Sequence, residues 1–124
     1  MNIVPRHKSD IDSCNQLALA DDAQVAEQVY ELIEWIQDMN WPVAGPVAAR
    51  LIALRLELVP PIREVLAGAD DAWKYWVVAS LLPQVHPTVV EALRPELTQL
   101  IENPSSGELQ EGVVDATREL LQCK

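Results

Sequence analysis

The sequence predicts an all-α fold, a short α-solenoid of antiparallel helix pairs, on three observations. Apolar residues recur at helical spacing: Val25, Val29, Leu32, Ile33 and Ile36 fall at i, i+4, i+7, i+8 and i+11, which puts them on one helix face. Strand signals are weak, because Phe is absent, no Asn-Gly or Asp-Gly pair marks a hairpin and strict alternation does not persist. Short segments also recur at intervals of 30 to 34 residues, the range of two-helix repeats.

In chain order, residues 1–20 form an N-terminal segment expected to pack on the first helix pair. A helix over 22–39 starts at Asp21 or Asp22, where a carboxylate satisfies free N–H groups and suits the positive helix end. It stops at Asn40, before Trp41-Pro42. The next helix covers about 42–58. Pro42 and Pro46 lie in or near its first turn, where a missing N–H costs little, and Val47, Leu51, Leu54 and Leu58 form its core stripe.

Pro60-Pro61 opens a short helix with Ile62, Val65 and Leu66, closed by Gly68. Asp70 or Asp71 caps a helix to about 82. Trp73, Trp76, Val77 and Leu81, flanked by Tyr75, Val78, Ala79 and Leu82, make that helix apolar nearly all round, so it is covered on most sides. Pro83 and Pro87 bracket a turn. Val90, Leu93, Leu97, Leu100 and Ile101 continue at helical spacing, with Pro95 forcing a kink or a restart. Residues 103–107 read as a loop, and Ser105 or Ser106 caps a last helix carrying Val113, Val114, Leu120 and Leu121.

The repeats give the solenoid its form. Val47-Ala48-Ala49-Arg50-Leu51 matches Val77-Val78-Ala79-Ser80-Leu81 at a spacing of 30, Pro61-x4-Leu66 matches Pro95-x4-Leu100 at 34, and Trp41 and Trp73 stand 32 apart. Three to four antiparallel pairs, each burying its stripe against its neighbours, make a HEAT-like stack. Its 124 residues fit one domain, 1–124.

Three stretches resemble a known family: Ile3-Val4-Pro5-Arg6-His7-Lys8-Ser9-Asp10; Leu32-Ile33-Glu34-Trp35-Ile36-Gln37-Asp38-Met39-Asn40-Trp41-Pro42-Val43-Ala44; and Asp70-Asp71-Ala72-Trp73-Lys74-Tyr75-Trp76. The resemblance is to a bacterial domain of unknown function, DUF5071, and covers nearly the whole chain. It implies a small HEAT-like helical domain and no particular activity. In size and charge such chains are similar to the acidic immunity proteins that accompany secreted toxins.

Charge is unevenly spread. The net charge is −10 and the pI about 4.4, which excludes polyanions as direct partners, since nucleic acid and anionic membrane both need basic patches. Residues 9–49 hold eight acids and no Lys or Arg. At 49% hydrophobic, the chain has enough apolar content for a core, so a disordered acidic tail is excluded too. No apolar run reaches the length of a membrane span. The first residues have no signal-peptide core, so the expected compartment is the cytoplasm, with Cys14 and Cys123 as two reduced thiols.

Catalytic and metal-binding patterns are weak, and the expectation is no enzyme, no metal and no cofactor. His7 and His86 lie far apart and outside any metal-ligand spacing. Asp10-x-Asp12 lacks the Gly and terminal Glu of a calcium loop. Neither cysteine neighbours a histidine, no phosphate-cradling glycine motif is present, and Asp21-Asp22 and Asp70-Asp71 stand where helices begin and read as caps.

The acidic helix face is the better lead. Glu27, Glu31, Glu34 and Asp38 fall at i, i+4, i+7 and i+11, one stripe opposite the apolar one. Like charges at i, i+4 disfavour a helix, and a merely solvated face usually mixes in Lys. Trp35 and Tyr30 flank the stripe, residue types that often anchor interfaces, whereas Trp41, Trp73 and Trp76 read as packing between helix pairs. The expected function is a non-catalytic protein-binding module, an immunity-type protein docking a basic partner through these six residues. The alternatives are a structural or dimerising HEAT-like domain without a dedicated ligand, and an enzyme on a helical-repeat scaffold. The chain is expected as a monomer or homodimer.

Overall fold

Acidic, hydroxyl and imidazole side chains open five of the ten described α-helices by accepting N–H groups that have no partner in the first turn. The computed structural model describes residues 2–122, and every regular element among them is helical. α1 (Ile11–Leu19) is capped by Asp10, whose Oδ1 takes the Ser13 N–H at 3.2 Å. α2 (Asp22–Glu27) opens on a capping box: Asp21 takes the Gln24 N–H at 2.9 Å and Gln24 returns the favour to the Asp21 N–H at 3.0 Å. α3 (Val29–Ile33) tightens into a 3₁₀ turn over Glu34–Ile36, and α4 spans Ala44–Leu51.

α5 (Val59–Ala67) follows a 3₁₀ turn at Leu56–Leu58 and carries prolines in its first turn. α6 (Asp71–Trp76), capped by Asp70 on the Trp73 N–H at 3.1 Å, runs on into a π-helical turn over Val77–Leu81. α7 (Pro87–Ala92) is capped by His86, and α8 covers Arg94–Glu102. α9 (Ser106–Gln110) starts on a Ser105–Glu108 capping box, and α10 spans Val113–Gln122.

The boundaries depart from expectation at three places. The helix expected over 22–39 breaks at Gln28 (φ −111°, ψ 14°), where β-branched Val25 and Val29 and the like charges Glu27 and Glu31 all weaken an α-turn. The helix expected to reach residue 58 ends with α4 at Leu51. At Pro95 the chain takes the restart, one of the two outcomes expected there: it breaks at Leu93 (φ −95°, ψ 1°) and the proline falls in the first turn of α8. Ser105 caps α9, not the last helix. α10 instead begins after Gly112, whose φ of 81° reverses the chain in the left-handed region. The matched segments Val47–Leu51 and Val77–Leu81 have different geometry, one α-helical and the other π-helical.

Contacts join both chain neighbours and helices further apart in the sequence. α1 lies on α4, α3 on α4 and α5, α5 on α6, and α10 closes the far end against α6, its π turn and α8. Buried side chains from Ile3 to Leu120 form one continuous core. Residues 2–10 are pinned before α1: the Val43 N–H reaches Lys8 O at 3.1 Å, and the Asp10 Oδ2 collects the Arg6 backbone N–H, the Arg6 Nε–H and the Ser13 hydroxyl at 2.9, 3.0 and 2.7 Å. Those hydrogen bonds, from the Arg6 side chain first, hold the Asp10 carboxyl well below the usual carboxylate range.

No described helix is long and apolar enough to cross a membrane. Cys14 is buried beneath α1, and burial, then the Asp10 charge, pushes its thiol up. Cys123, the second expected thiol, lies outside the described residues.

Gly112 offers a direct check on the α9–α10 turn. A Cβ there would meet the Tyr75 ring at 3.5 Å in a backbone region that L side chains rarely adopt. Gly112→Ala is expected to cost about 1–2 kcal/mol, read from the urea midpoint; an unchanged midpoint would show that the turn does not constrain the fold.

Candidate functional site

The expected acidic stripe needs one continuous helix, and the chain between Asp22 and Asp38 is not one. Rotation of 100° per residue is lost at Gln28 and becomes about 120° in the 3₁₀ turn. Glu27 therefore ends α2 apart from the others. Asp38 sits half-buried in a turn, where its Oδ1 accepts the Asn40 N–H at 2.8 Å. Glu31 and Glu34 remain together and exposed.

Glu31, Glu34 and Trp35 line a cleft of about 320 Å³ with Val4, Pro5, Gln37 and Trp41. Trp35 and Trp41 meet edge to face, with ring centroids 5.6 Å apart and planes at 68°, a favourable arrangement of aromatic quadrupoles. Trp41 thus lines the cleft. Trp73 and Trp76 are half-buried and pack on the core, as expected of them. Glu34 also borders a second cleft, of about 330 Å³, walled by Tyr30, Ile33, Pro61, Val65 and Trp73 and edged by Glu64 and Asp70. Tyr30 is 48% exposed, and the Trp73 indole N–H is fixed on Ile33 O at 3.2 Å. Glu34 is the shared edge of two aromatic clefts, while Glu27 and Asp38 line neither.

Five of the eight described cations are engaged in ion pairs elsewhere. Arg6 pairs with Asp10, Arg63 with Glu96, and Arg94 with Glu91. Arg50, the first cation after the acid-only stretch, reaches back to Asp22 at 2.7 Å and to Ala20 O at 2.9 Å. Among the described residues, no cation comes within 4.0 Å of Glu27, Glu31, Glu34 or Asp38.

The most buried charge cluster is one that the sequence pattern does not announce. Lys74, 4% exposed, donates to Asp71 at 3.0 Å and Glu108 at 2.8 Å. Glu108 Oε1 meanwhile takes the Ser105 N–H at 2.7 Å. Burial alone would lower the Lys74 pKa, but its two carboxylate partners outweigh that and raise it. Burial would raise that of Glu108, but the Lys74 ammonium and the Ser105 donors hold it down. Gly107 lets α9 approach this cluster, since a Cβ there would collide with the Asp71 carboxylate. The available signal was a lone lysine in a helix apolar nearly all round, with an acid three residues earlier.

No described group of three or more His, Cys, Asp or Glu side chains is placed to hold a metal ion. His7 and His86 serve local turns, taking the N–H groups of Ser9 and Thr88 at 3.3 Å. Asp21 and Asp70 are caps, as their positions imply.

Fold and site define a small all-helical protein with an acidic, tryptophan-edged face. The chain belongs to the family described as Domain of unknown function (DUF5071), whose model matches residues 3–121. A comparison with curated proteins gives no match.

The Lys74 cluster fixes a pH dependence. Glu108, held below its ordinary value of about 4.5, adds stability that is complete above that pH and lost as pH falls through its lower folded value. Lys74, raised above 10.5, adds stability that is complete below 10.5 and lost as pH rises through its folded value. Glu108→Gln should therefore flatten the acid limb of a stability–pH curve, and Lys74→Met should cost roughly 3–5 kcal/mol near neutral pH by stranding two carboxylates. Denaturant titrations at neutral and acid pH measure both. An unaltered acid limb would mean that the cluster is not formed in solution.

Proposed function

We propose that this chain is a non-catalytic protein-binding module that docks a basic partner on the face formed by Tyr30, Glu31, Glu34 and Trp35, in the manner of an acidic immunity-type protein. The observation that carries the reading is the pair Glu31 and Glu34. They lie at aromatic clefts with no described cation within ion-pair distance, whereas five of the eight described cations pair with other acids. Unneutralised carboxylates beside half-exposed aromatic rings give a partner both long-range attraction and a place to bury apolar surface. Glu27 and Asp38, set away from the clefts, contribute to the surrounding field rather than to direct contact. The HEAT-like description draws support from the contacts of α3 with α4 and α5 and of α5 with α6, and the proposed setting is the cytoplasm.

A second reading, a dimerising helical domain, is favoured by Leu19 on α1, 82% exposed, and by the exposed Ile11 on the same helix. Sedimentation over a range of concentrations separates the two, because a concentration-independent monomer leaves only the docking reading.

With the protein as bait in an extract of its source cell, a strongly basic protein should be retained. The double substitution Glu31→Lys, Glu34→Lys should slow its association about tenfold or more at low salt, with less effect at high salt. Retention unchanged by the double substitution, with helical circular dichroism intact, would sink the proposal.

A further inference from the structure

Three side chains lining the cleft beside the N-terminal segment carry N–H donors that find no acceptor among the described residues. They are the indoles of Trp35 and Trp41 and the amide of Gln37. The Trp73 indole, by contrast, is held on Ile33 O. Among the described residues Glu96 Oε2 alone is both buried and unpartnered, so the three donors reach water.

The Val4–Pro5 wall of the cleft is fixed in advance. The Asn2 amide donates to Val4 O at 2.7 Å and to Ser13 Oγ at 2.8 Å, and the Arg6 N–H is held on Asp10. Exposed Glu31 and Glu34 complete the lining with no described cation within 4.0 Å. Arg6, next to Pro5 in the chain, pairs with Asp10 instead.

We propose that this cleft binds a proline-rich segment of the basic partner in the polyproline II form. Its pyrrolidine rings pack on Trp35 and Trp41, and an Arg or Lys of the segment lies beside Glu31 and Glu34. The inference rests on the docking reading and adds the partner's backbone form. The unserved donors select that form. A helix uses its carbonyls internally, and a lone ammonium or guanidinium has no acceptor to offer. A strand needs a sheet edge to join, and every regular element described is helical. A polyproline II segment keeps its carbonyls unbonded. Proline also enters an aromatic cleft with little ordering cost, because its backbone is already restricted.

Titration of the ¹⁵N-labelled protein with acetyl-Arg-Pro-Pro-Arg-Pro-Pro-amide tests this. The controls are acetyl-Arg-Gly-Ser-Arg-Gly-Ser-amide, of equal charge, and the uncharged acetyl-Ala-Pro-Pro-Ala-Pro-Pro-amide. Saturable shifts are expected at the Trp35 and Trp41 indoles and the Gln37 side-chain amide, with the Trp73 indole unmoved. Both controls should bind about tenfold or more weakly. Trp35→Phe and Trp41→Phe, which keep a ring and remove the N–H, should each weaken binding about threefold or more. No saturable indole shift, equal affinity for either control, or undiminished binding by both folded Phe variants would overturn the proposal. Equal affinity for the Gly-Ser peptide would do so and leave the docking reading standing. That reading fails separately, by unchanged retention of the extract partner on the Glu31→Lys, Glu34→Lys protein.

Discussion

No described helix is longer than the ten residues of α10, and helices of that length are marginal by themselves in water. The fold therefore depends on ties between helices, and the buried Lys74 ammonium is the strongest polar one. It joins α6 to α9 across 34 residues of sequence. Its partner Glu108 also completes the capping box that starts α9. Local helix formation and tertiary closure are thus the same event here, made through one carboxylate. Around that tie the apolar faces share one continuous core, and α10 packs on α6 and α8.

The same economy of cations shapes the surface. Lys74 compensates buried acids, Arg50 closes the α1–α2 corner on Asp22, and Arg63 bridges α5 to α8 through Glu96. Cations used as internal ties are not available to neutralise α3. The unpaired carboxylates Glu31 and Glu34 lie beside the aromatic edges of Trp35 and Trp41. A net charge of −10 acts over the whole molecule, and this face sets the unpaired Glu31 and Glu34 beside clefts lined by aromatic rings.

Much of the architecture is legible in the sequence, because local chemistry determines helix starts. Asp21 and Asp70 cap where they stand at the head of apolar stripes, and the prolines of α5 and α8 fall in first turns. The break at Gln28 is less legible, since the apolar spacing from Val25 to Ile36 is kept across it while the backbone leaves the α-helix. Periodicity reports which side of a segment is buried, not whether its hydrogen bonds run unbroken. The same gap explains the site. Glu31, Glu34, Trp35 and Tyr30 can be chosen from the sequence, but the separation of Glu27 and Asp38 from them follows from the broken helix, and the contribution of Val4 and Pro5 to the cleft follows from tertiary packing. The Lys74–Glu108 and Arg63–Glu96 pairs, more than thirty residues apart, have no local signature.

The central proposal is that a basic partner docks at α3 and not on the acidic surface at large. The most direct measurement is an amide shift map of the ¹⁵N-labelled protein with a short oligo-arginine peptide at low salt. The account predicts shifts confined to Tyr30, Glu31, Glu34, Trp35 and the Trp41 indole. Shifts of equal size around the exposed acids Glu102, Glu111 and Glu119 would contradict it, because the charge would then be a diffuse property of the surface and not a site.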